Sequence, residues 1–196
     1  MRRYLSIACL CLLGLIAADS PQAVVGQSAP QFSLPDLSGQ MISLSDYKGK
    51  TTVLEWTNPH CPFVQRQYKF HTMTDLIKKY PDVQWLSIAT GYTADEKSLK
   101  QFAATEDLHH PILLDRDGAV AHLYGTTNTP EIYIIDKTGK LVYAGGIDSQ
   151  PEDDANTPIN PSTDRYVDEA LHALATDQPI PHPQTEPYGC SIKYMR

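Results

Sequence analysis

Two hydrophobic periods alternate along this chain. Between residues 24 and 50 apolar and polar positions alternate around Phe32 and Leu34, turn at Gly39, and resume over Met41-Ile42-Ser43-Leu44, which predicts two extended segments. In Thr51–Thr57, Val53, Leu54 and Trp56 do not alternate, so the strand expected there is covered on both faces. Asn58-Pro59-His60-Cys61-Pro62 breaks that strand and opens a helix, with Pro62 at its first position. Phe63, Phe70, Met73, Leu76, Ile77 and Tyr80 then form one helical stripe that ends at Pro81.

The pattern repeats downstream. Val83–Ile88 reads as a strand, Thr93-Ala94-Asp95-Glu96 as a capping box, and Leu99, Phe102 and Ala103 as one helical face. Ile112–Leu114 predicts a short strand and Ala119–Tyr124 a short helix. Glu131–Asp136 and Leu141–Ala144 flank a Gly-bearing turn and predict a hairpin. Residues 145–163 are rich in Asp, Pro and Asn and read as a loop. Tyr166, Val167, Ala170, Leu171 and Leu174 form a last amphipathic helix. From Gln178 onward Pro179, Pro181, Pro183 and Pro187 impose an extended path. This order predicts an α/β sandwich with mixed strand directions.

Composition narrows the picture. The 196 residues, 41% hydrophobic and 20% charged, suit one domain. With a net charge of -7 and no Lys/Arg run, nucleic acid is excluded as a partner. Arg2 and Arg3 precede an uncharged run from Tyr4 to Ala18, the pattern of a secretory signal cut after Ala18 or Ala23. A membrane span needs ~20 apolar residues; an uncleaved anchor is the alternative, and after cleavage no membrane insertion is expected. The expected organisation is a signal peptide over 1–23, a domain over 24–176 and a Pro-rich tail over 177–196, in a protein carried across the inner membrane to the periplasm. Cys9 and Cys11 then leave with the signal. Cys61 and Cys190 remain, and two cysteines in an exported chain invite a disulfide.

Cys61 is the chemically interesting one. A thiol at a helix start meets free N–H groups and the positive end of the helix dipole, which favour the thiolate. His60 adds positive charge when protonated. Glu55 lies six residues earlier on the buried strand; it is either a carboxyl with a raised pKa suited to proton transfer or a glutamate paired with Lys or Arg at a sheet edge. His71 falls off the apolar stripe, His109-His110 has no assignable partner, and Asp148–Asp154 reads as a solvated acidic loop without calcium-ligand spacing. No metal or cofactor site is expected.

Gly26-x-x-Ala29-Pro30-x-Phe32-x-Leu34-x-Asp36-x-x-Gly39, the strand leading to Trp56, the Cys61-Pro62 elbow and Thr129-Pro130 before a hairpin resemble the thioredoxin-like superfamily. Within it they resemble the redoxin branch, also called the alkyl hydroperoxide reductase/thiol-specific antioxidant family. The ending Thr185–Tyr194 resembles an exported bacterial peroxiredoxin-like subgroup. The resemblance implies a thioredoxin fold, a central mixed β-sheet flanked by helices. It also implies Cys61 as redox nucleophile in a loop with Trp56, Asn58, His60 and Pro62, Glu55 as proton shuttle, and a cis Pro130 whose neighbour Thr129 offers an edge to an extended substrate.

Two departures stand out. Val64 occupies the position of the second cysteine of Cys-x-x-Cys, and Leu54 and Asn58 replace the proline and threonine of the peroxiredoxin motif Pro-x-x-x-Thr-x-x-Cys. The expected activity is thiol–disulfide exchange on a protein disulfide, with Cys190 resolving Cys61 and an external thiol reductant that the sequence does not identify. The alternatives are a thiol peroxidase acting on peroxide, and a redox-silent thioredoxin-fold binding module or copper carrier. Cys190 pairing with another molecule is the alternative to an internal bridge.

Overall fold

The computed structural model describes residues 22–151 and 155–194. The expected signal segment therefore lies almost wholly outside the described residues. Among the described residues no helix is long and apolar enough to cross a membrane.

The chain opens with a hairpin, β1 (Ser33–Pro35) against β2 (Met41–Ser43), paired Leu34 to Ile42. β3 (Thr52–Trp56) follows and is buried at every position. Next come α1 (Pro62–Lys69), α2 (Thr72–Lys79), β4 (Gln84–Thr90), α3 (Glu96–Thr105), β5 (Ile112–Asp115) and α4 (Ala119–Tyr124). The chain finishes with β6 (Asn128–Thr129), β7 (Glu131–Ile135), β8 (Leu141–Gly145), α5 (Tyr166–Ala175) and β9 (Cys190–Ser191). The central sheet runs β5-β4-β3-β7-β8. β3, β4 and β5 are parallel neighbours, whereas β7 and β8 are antiparallel additions. β3 is thus the middle strand, which explains its continuous burial.

Alternation along β3 sorts the core into two layers. Val53 packs with Val64, Tyr68, Met73, Leu99, Phe102, Val167 and Leu171, on the side carrying α1, α2, α3 and α5. Leu54 and Trp56 point the other way, toward the β1–β2 hairpin and α4.

Two elements differ from the sequence expectation. The stripe from Phe63 to Tyr80 predicts one helix, but the chain breaks at His71, whose backbone is left-handed (φ 60°) between α1 and α2. The apolar spacing is nearly unaffected by a one-residue break, so periodicity does not register it. The capping box at Thr93–Glu96 also does not form. α3 instead starts one residue after Asp95, whose carboxylate accepts from Ser98 N at 3.0 Å, and Thr93 belongs to a preceding 3₁₀ turn.

Candidate functional site

The loop after β3 is held by its own backbone. Asn58 Oδ1 accepts from His60 N at 3.0 Å, Asn58 O accepts from Cys61 N at 3.0 Å, and Gln65 Nε2 donates to Pro59 O at 2.9 Å. Cys61 is the N-cap of α1 with extended backbone, Pro62 is the first helical residue, and the cysteine is 1% exposed. Trp56 is fully buried on the opposite layer, where Nε1 donates to Thr90 Oγ1 at 3.2 Å. It therefore anchors the strand end and faces away from the layer in which Cys61 packs.

The Thr129–Pro130 peptide bond is cis. Cys61 Sγ donates to Thr129 O at 3.1 Å, so nucleophile and proline loop are in contact. The C-terminal segment joins them. β9 pairs antiparallel with β6, placing Cys190 opposite Thr129 and Ser191 opposite Asn128. Asn128 Nδ2 donates to Gly189 O at 3.0 Å and Ile192 N to Thr127 O at 2.9 Å. Gly189 has φ 139°, and a Cβ there would stand 2.0 Å from Thr129 O, so this approach is open only to glycine. Tyr188 and Tyr194 clamp the segment on either side. Tyr188 donates to Asp148 and accepts from Gln67 Nε2, while Tyr194 stacks on His122 with ring centroids 3.8 Å apart.

Cys61 and Cys190 are both free thiols in this structure. Burial pushes the Cys190 thiol up to about 12, and the adjacent Cys61 sulfur adds to the rise through hydrogen bonding and charge, against a small opposing pull from Lys193. Cys190 thus needs a base, or a developing disulfide partner, before it can act as a nucleophile.

Glu55 is 1% exposed on the middle strand, which removes the reading as a sheet-edge glutamate paired with a cation. Its Oε2 accepts from Tyr68 Oη at 2.8 Å and from Ser87 Oγ at 3.0 Å. Burial raises its pKa to about 7, against hydrogen bonds that favour the ionised form. Thr57, two residues along the same face, stands close enough to favour that form slightly but is not aligned for a hydrogen bond. Thr57 Oγ1 and Glu55 Oε1 are both buried without a partner.

Sequence reasoning leaves three contributors out. Tyr68 is not among the stripe positions, Ser87 is one unmarked residue of the Val83–Ile88 strand, and His110 reads as a histidine with no assignable partner. In the fold Ser87 bridges Glu55 to His110, with Ser87 Oγ and His110 Nε2 2.9 Å apart. A signal existed for Ser87, the one polar side chain within Trp85-Leu86-Ser87-Ile88-Ala89. His71 lines the same cavity as His110. Asp148, expected in a solvated loop, is 2% exposed and serves as the acceptor for Tyr188 and Gln67.

Known proteins resemble this chain in sequence and in fold. The chain is 30% identical to the thiol-disulfide oxidoreductase ResA of Bacillus thuringiensis over 118 residues, 60% of this chain and 67% of that protein. It is 40% identical to the thioredoxin-like protein YneN of Bacillus subtilis over 119 residues, 59% of this chain and 68% of that one. A crystal structure of a conserved protein from Geobacillus kaustophilus superposes with a TM-score of 0.77 at 30% identity, covering 88% of this chain and 93% of that one. A secreted Mycobacterium tuberculosis disulfide oxidoreductase, at 24% identity and a TM-score of 0.51 over 56% of this chain and 79% of that one, shares the thioredoxin-like fold. Residues 25–144 match the AhpC/TSA family, and the chain belongs to that family.

Proposed function

We propose that this protein is an exported thiol–disulfide oxidoreductase in which Cys61, from the loop after β3, and Cys190, from the Pro-rich tail, form a two-thiol redox pair. That it is a thiol-dependent oxidoreductase follows from its family and from the relatives named above. The observation that carries the finer reading is the register that sets Cys190 opposite Thr129, whose carbonyl is the hydrogen-bond acceptor of Cys61. Val64 removes the vicinal resolving thiol, and the tail supplies one at the same centre. Arg2-Arg3 and the apolar run after them support export.

The Cys61 thiolate attacks a protein disulfide, forming a mixed disulfide and releasing one client thiolate. Cys190, deprotonated, attacks Cys61 Sγ; the new Cys61–Cys190 bond forms as the second client thiolate leaves. The client gains two electrons and the pair loses two, and an external thiol reductant returns them. Glu55, poised near neutrality, is the base that takes up the proton. Thr129 offers its backbone to an extended client segment once the tail has moved aside. His60 and Asn58 shape the loop, and no cofactor is used.

Peptide mapping without reductant tests this directly. Mild oxidation of the reduced protein gives an intramolecular Cys61–Cys190 peptide; Cys61→Ala abolishes disulfide turnover, and Cys190→Ser accumulates a mixed disulfide on Cys61. A Cys190-linked dimer, or consumption of peroxide in place of disulfide, overturns the reading.

A further inference from the structure

Glu55 lies in the middle strand, sealed from solvent. A buried carboxyl that gains and loses a proton in each cycle needs a route for it. Thr57 on its own strand and Tyr68 on α1 stand beside Glu55. Tyr68 is no exit, because it is itself fully buried and burial beside Glu55 raises its pKa well above the ordinary tyrosine value. Ser87 of β4, in register with Glu55 across the parallel pair, donates to the same Oε2 as Tyr68. Beyond Ser87 is His110, in the loop before β5. His110 is half-buried and lines a cavity of about 560 Å³ together with His71, Ile77, Trp85, Glu106 and His109. The cavity is lined in part by the polar side chains of Thr74, Lys78, Glu106 and His109, so it can hold water.

We propose that Ser87 and His110 form a proton relay joining Glu55 to this cavity. The proposal rests on the thiol–disulfide reading above and adds a route for the proton that reading requires. The two links are 3.0 Å and 2.9 Å, both within transfer distance. In release, protonated Glu55 gives its proton to Ser87 Oγ, the Ser87 proton passes to His110 Nε2, and Nδ1–H gives its proton to cavity water. One proton leaves, each broken O–H or N–H bond is matched by a new one, no electron moves, and imidazole ends as the other tautomer. Uptake runs the steps backward and restores it. Oxidation of the thiol pair releases protons and its reduction takes them up, so alternate halves of the cycle reset the ring.

The environment of His110 suits such a role. Burial lowers its pKa to about 4, with His109 adding to the effect, so the ring stays neutral and passes protons without storing charge. The charged groups facing this region are Lys78 from α2 and Glu106 and Asp107 from the end of α3, all on the cavity rim; none forms an ion pair with His110.

Ser87 and His110 are positioning residues acting through Glu55, and their test separates proton passage from structure. In the full-length protein, the rate of Cys61–Cys190 bond formation with a small aromatic disulfide is followed against pH for wild type, His110→Ala, His110→Gln and the double variant His110→Ala/Ser87→Ala. We expect about a tenfold loss in His110→Ala, below the range of direct acid–base groups, with recovery on adding imidazole. His110→Gln keeps a donor to Ser87 yet cannot exchange a second proton, so it folds and is slow, with no recovery. The double variant is slow and unrescued. A wild-type rate and pH profile in His110→Gln, or equal imidazole rescue in the double variant, overturns the relay. Carbon-13 NMR of the Glu55 carboxyl gives a readout independent of turnover. Proton exchange near pH 7 is fast in wild type and slowed in His110→Gln, and unchanged exchange sinks the relay. A wild type that fails to exchange disulfides while the NMR difference persists removes the functional reading and leaves the relay standing.

Discussion

The two sides of the central sheet are both well buried and differently finished. On the α4 side Trp56, Tyr124 and Tyr133 form a cluster with ring centroids 5.2–5.3 Å apart, and each polar tip has a partner. Trp56 Nε1 reaches Thr90, Tyr124 Oη reaches Pro30 O at 2.8 Å, and Tyr133 Oη reaches Glu131 Oε1 at 2.7 Å. On the α1 side, among the described residues, lie all four buried side-chain atoms without a partner: Glu55 Oε1, Thr57 Oγ1, Gln67 Oε1 and Trp85 Nε1. Unpaired buried polar atoms cost free energy and are rare in native proteins. Here they are confined to the face that carries the proposed redox site.

The largest effect expected from this contrast is on the finished side. Trp56→Ala removes a fully buried aromatic and should cost about 3–5 kcal/mol of stability, read as a fall in denaturant midpoint. A loss under about 1 kcal/mol would mean that this layer is not the stabilising one.

The next effect is a pH dependence on the other side. Glu55 has its folded pKa raised from 4.5 to about 7, so its contribution to stability is complete below about pH 4.5 and lost as pH rises through about 7. His110 has its pKa lowered from 6.5 to about 4; its contribution is complete above about 6.5 and lost as pH falls through about 4. The two slopes oppose one another between those limits and largely conceal each other in the wild type. Glu55→Gln removes one of them. The variant should gain about 3 kcal/mol relative to wild type between about pH 4 and pH 8, measured by unfolding at a series of pH values. A difference that stays flat would show that folding leaves the Glu55 pKa unshifted.

The smallest effect concerns Thr57. Thr57→Val replaces an unpaired buried hydroxyl with a methyl of similar shape and should leave stability unchanged or raise it by up to about 1 kcal/mol. A clear loss in the same unfolding assay would reveal that the hydroxyl has a bound partner.

Much of this was legible from local pattern. The unalternating Val53-Leu54-x-Trp56 run identified the middle strand, and Pro62 after Cys61 located the helix start. Both depend on residues that neighbour each other in sequence. The break at His71 was not legible, because one left-handed residue shifts a helical stripe too little to disturb its spacing. The partners of Glu55 were hidden for another reason. Ser87 is 32 residues away and His110 a further 23, and only strand register brings them together. Cys190 could be suspected from its cysteine and its prolines, but its seat opposite Thr129 depends on Gly189 and on the Tyr188 and Tyr194 contacts, which no periodicity encodes.

The seating of the tail carries one more consequence. A strand tethered to its own domain competes for its docking edge at an effective concentration on the order of millimolar. Any extended segment that pairs with Asn128–Thr129 must displace residues 190–191 first. For the proposed client, capture at high concentration would then approach the rate at which the tail lifts, with weakly pairing peptides screened out by an occupant already in place. Selectivity for that client at this edge would be set as much by residues 190–191 as by the groove that receives them.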